Sequence, residues 1–249
     1  MKKIGIVGGL AWRSTAEYYA EICRRSDELH RARRLPGPPS IPEIAIESLD
    51  LARALEWLGN EEDERSWVRF DAYHRSALLR LEAGGAEVAL IASNTPHHRW
   101  ESIVRGVRIP VISIVDAAAG EAVRLGAREV LLLGTALTMS SVRLREAFAR
   151  HGIRAAGPRR EAPRETTLAL IDDLQHGRLK GAGARLGRLA RAAFAEVFAG
   201  KPVVCLACTE LPLAFPARRT YPSFQHGGVT YINTVAAHIN AALESAGIL

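Results

Sequence analysis

The stretch Ile4-Gly5-Ile6-Val7-Gly8-Gly9 indicates how the chain folds, because a short apolar run ends there in two glycines. A run this continuously apolar is typical of a strand buried on both faces, as in parallel sheets covered by helices. Similar runs recur along the chain, and each is followed within a few residues by a helical pattern. The sequence therefore predicts an α/β fold. The predicted strands are Ile4–Val7, Ile41–Ile46, Val88–Ala92, Pro110–Ile114, Val130–Leu133 and Val203–Ala207.

The two halves of the chain carry similar motifs in the same order. Gly8-Gly9 after the first strand has a counterpart in Gly134-Thr135, and Ser93 at the end of a later strand has a counterpart in Cys208. This repeat predicts two similar α/β lobes. Ligands in open α/β sheets bind beyond the carboxyl ends of the strands, where helix N-termini present free N–H groups. Ser93 and Cys208 are therefore candidates for contacts on either side of one small molecule.

Periodicity and turn residues predict two helices and one loop. Residues 61–83 form one long amphipathic pattern that ends at Gly84-Gly85. Residues 138–150 form a second, with Thr138 as the predicted N-cap and a glycine just past its end. Residues 35–39 contain three prolines and are predicted to be a loop, since no helix or strand interior accepts them.

Composition narrows the class of protein. The 249 residues are 48% hydrophobic with a net charge of +6. No run of about 18 apolar residues lacks a charge, so no membrane span is predicted. The amino-terminal run has no small-residue cleavage site after it, which favours a cytoplasmic protein. The positive net charge suggests nucleic acid as a possible class of partner. The arginines, however, are spread along the chain without a recognisable nucleic-acid-binding motif, so neither nucleic acid nor a membrane is expected as a partner.

The cysteines do not predict a disulfide framework. Cys23, Cys205 and Cys208 are an odd number in a chain expected to be cytoplasmic. Cys205 and Cys208 have the spacing of a redox or zinc pair, but the two further ligands that zinc needs are missing from the pattern. A redox pair would open a helix, whereas residues 203–207 are predicted to be a strand. We expect Cys205 in the core and Cys208 at the strand tip, with no metal.

The first glycine turn alone is a weak signal. Gly5, Gly8 and Gly9 do not have the spacing of a dinucleotide-binding fingerprint, and no phosphate-binding loop motif is present. Two interpretations of Gly8-Gly9 remain open at this point. The turn either contacts a ligand or lets a helix pack closely on its strand.

Four blocks of sequence, taken together, resemble those of the aspartate/glutamate racemase superfamily. They occur in the order expected for that family and extend over nearly the whole chain. The Cys-Thr-Glu-Leu-Pro block and the Gly-Thr-x-x-Thr-Met block are the most specific. The four are residues 4–15, Ser93 to His97, Leu133 to Met139 and Ala207 to Leu213.

This resemblance implies a racemase that needs no cofactor and has two lobes with the active site in the cleft between them. Lobe one is expected to comprise residues 1–112 and 222–249, and lobe two residues 113–221. The resemblance also implies a homodimer. The partner that it implies is a small-molecule substrate, an amino acid.

In this family two thiols act on opposite faces of the α-carbon as a base and an acid. The second of them falls on Cys208 and the first on Ser93, so the chain departs from the family at the first position. His97 either tunes Ser93 or is a packing residue. The resemblance assigns substrate contacts to Leu10, Asn94, Thr95, Thr135, Thr138, Thr209 and Glu210.

Three further positions depart from the pattern of the family. Leu10 replaces the usual methionine, Gln175 falls where some members have a lysine for the substrate's side-chain carboxylate, and Asn233 falls where the family often has aspartate. The change at Gln175 leaves the identity of the amino acid open.

The chemistry explains why Ser93 matters. A free thiol has a pKa of about 8.5 and can accept or donate a proton once helix N–H groups lower that value. A hydroxyl titrates far higher, so Ser93 would transfer a proton only with help from His97, from a water, or after the opposite thiolate has formed the carbanion. The expected activity is racemisation by Ser93 and Cys208. The alternatives are decarboxylation of a malonate-type acid by a single cysteine, or amino-acid binding without catalysis.

Overall fold

The computed structural model describes residues 1–60 and 62–249. It contains two β-sheets, whose strands are mostly parallel. They belong to two units, Met1–Ser113 with Ile239–Leu249, and Ile114–His238. The α/β fold predicted from the apolar runs is confirmed, and a strand occurs at each of the six predicted places.

The first unit contains a four-stranded parallel sheet in the order β2-β1-β3-β4. Strands β1 and β3 are central and completely buried, as their continuous apolar sequence predicts. The strands are β1 (Ile4–Gly8), β2 (Ile44–Ser48), β3 (Val88–Ile91) and β4 (Val111–Ile112). The helices are α1 (Trp12–Ala32), α2 (Leu51–Glu56), α3 (Val68–Ala83) and α4 (Trp100–Ile103).

The second unit contains a five-stranded sheet in the order β6-β5-β7-β9-β8. Apolar side chains cover both of its faces, with α8 and α9 on one face and α5 and α7 on the other. The strands are β5 (Glu129–Gly134), β6 (Arg154–Ala156), β7 (Val203–Ala207), β8 (Ser223–His226) and β9 (Val229–Asn233). The helices are α5 (Ile114–Arg124), α6 (Ala136–Ser140), α7 (Val142–Ala149), α8 (Glu161–Gln175), α9 (Ala182–Val197) and α10 (Thr234–Ser245), which ends in the first unit.

The predicted return to lobe one at residue 222 is wrong for residues 222–238. Strand β9 pairs in parallel with β7, and β8 pairs with β9, so both strands belong to the second sheet. The chain changes unit within α10, at Ile239. The second sheet also departs from the expected all-parallel arrangement, because β8 runs antiparallel to β9 through the tight turn at Gly227-Gly228.

Two helix predictions need correction. The pattern over 61–83 corresponds to a 3₁₀ turn at Glu64–Trp67 followed by α3, and residue 61 lies outside the described residues. The pattern over 138–150 is divided between α6 and α7, whose N-caps are Thr135 and Ser141 rather than Thr138. The hydroxyl of Ser141 accepts a hydrogen bond from the Leu144 N–H, so it caps a new helix instead of continuing the old one.

The repeat seen in the sequence corresponds to the same local strand arrangement in each unit. Strand β1 pairs in parallel with β3, and β5 pairs in parallel with β7. Gly8 and Gly134 each end the first strand of their pair, and Ser93 and Cys208 each follow the second. Within the described residues, no helix combines the length and the apolar character needed to cross a membrane.

Candidate active site

The carboxyl edge of the first sheet carries the predicted residues Leu10, Ser93, Asn94 and Thr95, because β1 and β3 are parallel and end at the same edge. Ser93, Asn94 and Thr95 are all half-buried there. They belong to the segment that leaves β3 and enters a 3₁₀ turn at Thr95–Arg99. The first unit therefore presents a hydroxyl, an amide and a second hydroxyl in succession at this edge.

The turn at Gly8-Gly9 allows close packing. A Cβ on Gly8 would lie 2.4 Å from the Thr15 side chain, and one on Gly9 would lie 2.1 Å from the Leu49 carbonyl oxygen. Gly9 also has a φ of +89°, which glycine adopts without strain. Its N–H donates to Thr15 Oγ1 at 2.9 Å. Of the two interpretations of this turn, close packing of helix on strand is the one that these contacts support.

His97 contacts the backbone of Ser93. Its Nδ1 lies 2.9 Å from the Ser93 carbonyl oxygen, so Nδ1 carries the proton in this hydrogen bond. The ring is buried and stacks on Trp100 at a centroid distance of 5.0 Å. His97 thus fixes the backbone at Ser93, and this bond to the carbonyl is distinct from an activating bond to the hydroxyl.

The carboxyl edge of the second sheet brings together Thr135, Thr138 and Cys208. Gly134 and Ala207 are paired residues of β5 and β7, so Thr135 and Cys208 leave the sheet side by side. A Cβ on Gly134 would lie 2.6 Å from the Ala207 carbonyl oxygen, so only glycine fits there. Thr135 Oγ1 accepts from the Thr138 N–H at 3.3 Å and lies 2.8 Å from Thr138 Oγ1.

Cys208 lies in a hydrogen-bonded group with the two residues that follow it. Its Sγ donates to Glu210 Oε2 at 3.0 Å, and Thr209 Oγ1 donates to the same oxygen at 3.0 Å. All three side chains are buried. A thiol and a hydroxyl thus share one carboxylate oxygen, which fixes the direction in which the thiol proton points.

The pKa of the Cys208 thiol is raised well above its usual value. Burial is the largest cause, and the Glu210 carboxylate adds to it through its charge and its hydrogen bond. The backbone N–H groups of Glu210 and Leu211 act in the opposite direction, but they are outweighed. The expectation that N–H groups lower this pKa is therefore wrong for the net effect. A raised pKa favours the neutral form of the Cys208 thiol.

Cys205 differs from Cys208 in its environment. It lies in β7, where its side chain belongs to the apolar cluster formed with α5 and α7, whereas Cys208 belongs to the cluster on the other face. Both are free, and burial raises the pKa of Cys205 to about 12. Their sulfurs are therefore not a redox pair. Among the described residues, no group of three or more His, Cys, Asp or Glu side chains is arranged to hold a metal ion.

Gln175 and Asn233, two of the positions that depart from the family pattern, lie at the ends of a helix and a strand. Gln175 is the exposed last residue of α8. Asn233 is buried at the end of β9, where its Oδ1 accepts from the N–H groups of Val235 and Ala236 and its Nδ2 donates to the Arg219 carbonyl. Asn233 thus caps α10, a role that an aspartate side chain also fulfils.

Sequence reasoning missed one residue at the sheet edge that carries Cys208. Thr234 follows β9 at the same edge and donates from Oγ1 to the Leu206 carbonyl at 2.9 Å. It is completely buried. The apolar run at Tyr231 and Ile232, followed by a capping asparagine, is the signal that predicts a strand there.

Substitution of Glu210 by glutamine is expected to lower the pKa of the Cys208 thiol, because it removes the negative charge and keeps a hydrogen-bond acceptor. The pH dependence of Cys208 alkylation by iodoacetamide, followed by mass spectrometry, measures this pKa. The alkylation curve should move to lower pH. The control is Glu196→Gln, which removes a carboxylate of the same unit that pairs with Arg160. The alkylation curve of this variant should not move. An alkylation curve that does not move, or that moves to higher pH, in Glu210→Gln would show that the carboxylate does not raise the pKa of the thiol.

The α/β fold, with a helix-covered sheet in each unit, is the fold of known racemase structures. The chain belongs to the Asp/Glu/Hydantoin racemase family, whose model matches residues 7–242. Racemases are isomerases, and the match includes the segments that carry Ser93 and Cys208.

Solved structures agree with this membership. An aspartate racemase homologue from Pyrococcus horikoshii OT3 is 29% identical, with a TM-score of 0.74 over 99% of this chain and 100% of that one. A putative Asp/Glu racemase from Yersinia pestis is 25% identical, with a TM-score of 0.79 over 99% of each chain. Glutamate racemase from Campylobacter jejuni, at 20% identity and a TM-score of 0.63, covers 98% of this chain and 85% of that one and shares the two-lobed fold.

Proposed function

We propose that the protein is a cofactor-independent amino-acid racemase in which Cys208 and Ser93 act on opposite faces of the α-carbon. The observation that carries the proposal is the buried Cys208 thiol, hydrogen-bonded to Glu210 at the end of β7. Family membership supports the reaction class. The equivalent place in the first unit, after β3, holds Ser93, whose hydroxyl is the second proton-transfer group of the proposal.

Cys208 first has to lose its proton before it can act as a base. Glu210 Oε2 accepts the thiol hydrogen bond and is placed to take that proton, which leaves a thiolate and a carboxylic acid. The N–H groups of Glu210 and Leu211 stabilise the thiolate. The thiolate then removes the α-proton of the amino acid, and the electron pair of the broken C–H bond stays on the substrate carbanion. In the reverse direction the neutral thiol donates its proton to the carbanion.

Ser93 completes inversion from the other face. Its O–H donates a proton to the carbanion. The serine oxygen recovers a proton from solvent, and Glu210 releases to solvent the proton that it took from Cys208, which restores the starting state. Because a hydroxyl is a far weaker acid than a thiol, this step is the slower of the two proton transfers. We propose that Leu10, Asn94, Thr95, Thr135, Thr138 and Thr209 surround the substrate, with the neutral donors among them contacting its amino and carboxylate groups.

The test is a search for racemisation by the purified protein. Each enantiomer of a panel of amino acids is incubated with it, and the products are separated by chiral chromatography. Aspartate is the first member of the panel, since one similar structure is that of an aspartate racemase homologue. We expect both enantiomers of at least one amino acid to interconvert. Binding without interconversion of any of them would reject the racemase proposal.

A second candidate function is favoured by the asymmetry between the two strand ends. With a single thiol, which the raised pKa keeps protonated, the protein is suited to protonate a carbanion from one face only. Decarboxylation of a malonate-type acid produces such a carbanion. Carbon dioxide release from a substituted malonate, with one enantiomer of product, would support this function in place of racemisation.

Substitution of Thr95 by alanine is expected to raise KM by about three- to ten-fold without lowering Tm, because one neutral hydrogen bond to the substrate is worth about 1 kcal/mol. The steady-state kinetics of racemisation measure this change. Thr166→Ala removes a hydroxyl that bonds the Ala162 carbonyl on the exposed side of α8 and should leave KM unchanged. Equal KM values for the two variants would remove Thr95 from the substrate contacts.

We also propose a cytoplasmic homodimer, as the resemblance to this family implies. Helix α2 exposes Leu51 and Leu55 together on one side, with Leu58 after it, and this apolar surface is suited to burial in a dimer. Light scattering on the purified protein determines the mass directly. A monomer at micromolar concentration would contradict the dimer.

A further inference from the structure

Arg99 ends the 3₁₀ turn that follows Ser93, and its guanidinium is held by two carboxylates. The Nε and Nη2 atoms donate to Asp71, at 3.2 Å from Nε to Oδ1 and 2.9 Å from Nη2 to Oδ2. Nη1 donates to Glu64 Oε2 at 2.8 Å, and Nη2 donates to the other oxygen of Glu64. The guanidinium also lies over the Trp67 ring, 5.2 Å from its centroid. Three residues, two from the 3₁₀ turn at Glu64–Trp67 and one from the first turn of α3, therefore hold one arginine.

The environment of this group is unusual for an ion pair on a protein surface. The Asp71 side chain is 7% exposed and that of Arg99 is 13% exposed. A bidentate arginine–carboxylate pair with little solvent contact is geometrically specific, and loss of either partner leaves the other charge buried. Glu64 is mostly exposed, so its ion pair with Arg99 contributes less to stability. The pair between Arg99 and Asp71 is thus the part of the group that fixes the turn to α3.

This pair lies at the opposite end of the turn from the proposed site. The turn occupies Thr95–Arg99, and Ser93 immediately precedes it with only Asn94 between. His97 holds the near end by its hydrogen bond to the Ser93 carbonyl, and Arg99 holds the far end on α3. Arg99 and His97 therefore hold the two ends of the short segment that follows Ser93.

We propose that Arg99 is a positioning residue for Ser93, acting through the turn that its pair with Asp71 anchors. The inference rests on the proposed racemase function and adds a residue outside the substrate contacts. A hydroxyl is a poor proton-transfer group, so its rate depends steeply on how well it is placed. Misplacement of a reacting group by about 1 Å costs on the order of a hundred-fold in rate. Cys208, which lies in another unit, has no part in this anchoring.

The test compares two reactions in deuterated water, racemisation and α-proton exchange without inversion. Exchange without inversion needs only the Cys208 face, whereas inversion also needs Ser93. In Arg99→Lys and in Asp71→Asn, we expect the ratio of exchange to inversion to rise by about ten-fold or more. The ratio does not depend on the amount of folded enzyme. An arginine with a merely structural role would lower both rates together and leave the ratio unchanged, which would overturn the inference.

The matched control is Arg108→Lys. Arg108 belongs to the same unit and pairs with Glu82, but its side chain is exposed. This variant should keep the wild-type ratio. A raised ratio in Arg108→Lys as well would show that any arginine substitution in the unit has the effect, and would overturn the specific role of Arg99.

Amide hydrogen exchange tests the anchoring without any activity. We expect peptides covering residues 92–100 to lose protection in Arg99→Lys and Asp71→Asn, while peptides covering 203–211 keep theirs. Unchanged protection at 92–100 in both variants would overturn the anchoring. If the wild-type protein neither exchanges nor inverts any amino acid, the proposed function fails, and Arg99 loses its role in catalysis even if it anchors the turn.

Discussion

Replacement of Cys208 by alanine is expected to lower kcat by about 10²- to 10⁴-fold, the usual contribution of a positioned acid or base. The reason is that either direction of racemisation uses the sulfur, once as a base and once as an acid. Cys208→Ser is a second variant that preserves size, and its kcat should also fall, because a hydroxyl is a poorer base than a thiol. Steady-state racemisation in each direction measures the effect.

The control for this loss is Cys23→Ala, which removes a free thiol from α1 and should leave kcat unchanged. Cys208 is buried in the apolar cluster beneath α8 and α9, so its replacement by alanine costs stability as well, of the order of 1 kcal/mol. Tm and circular dichroism separate this cost from catalysis. Turnover in Cys208→Ala within about ten-fold of the wild type would remove Cys208 from the mechanism.

Substitution of Ser93 by cysteine is expected to raise kcat most in the slower direction. In the proposed mechanism Cys208 removes the proton readily from the enantiomer whose α-hydrogen faces it. Removal from the mirror image depends on the Ser93 hydroxyl, which is a bad base at neutral pH. A thiol at that position has a pKa several units lower, so the barrier for the slow direction falls.

Ser93→Ala should damage inversion in both directions, because each needs a proton transfer on that face. The two enantiomers still reach equal concentrations at equilibrium in every active variant, so the asymmetry is visible only in the separate kcat and KM values. Chiral chromatography from each pure enantiomer gives those values. Racemisation that persists unchanged in Ser93→Ala would leave Ser93 as a strand-end residue and refute the two-base mechanism.

The fold was predictable where burial is continuous along the sequence. Strands β1, β3, β5 and β7 are central, and their apolar runs identify them directly. Strands β6 and β8 lie at the sheet edges and contain exposed polar residues, so their sequences lack that signal. The unit boundary was misplaced for a different reason. Pairing of β9 with β7 is a contact between distant parts of the chain, which local pattern does not encode.

The site was predictable in its positions more than in its electrostatics. Ser93, Thr135 and Cys208 follow buried strands, and parallel pairing alone places each of them at a carboxyl edge. The raised pKa of Cys208 was not predictable, because it depends on burial and on the orientation of the Glu210 carboxylate. The pair between Arg99 and Asp71 likewise joins residues far apart in sequence, and nothing in either neighbourhood indicates it.

Deuterium labelling at the α-carbon tests most directly whether Cys208 and Ser93 form a two-base pair. One enantiomer of the substrate is incubated with the wild-type protein in deuterated water, and both enantiomers are isolated at early times and examined by mass spectrometry. With two bases, the proton is removed on one face and a solvent-derived deuteron is delivered on the other. We therefore expect the inverted product to carry deuterium from the start, while the remaining substrate gains deuterium more slowly, through exchange at the Cys208 face alone. Deuterium that enters both enantiomers equally fast from the start would mean that one group serves both faces, and would contradict the mechanism.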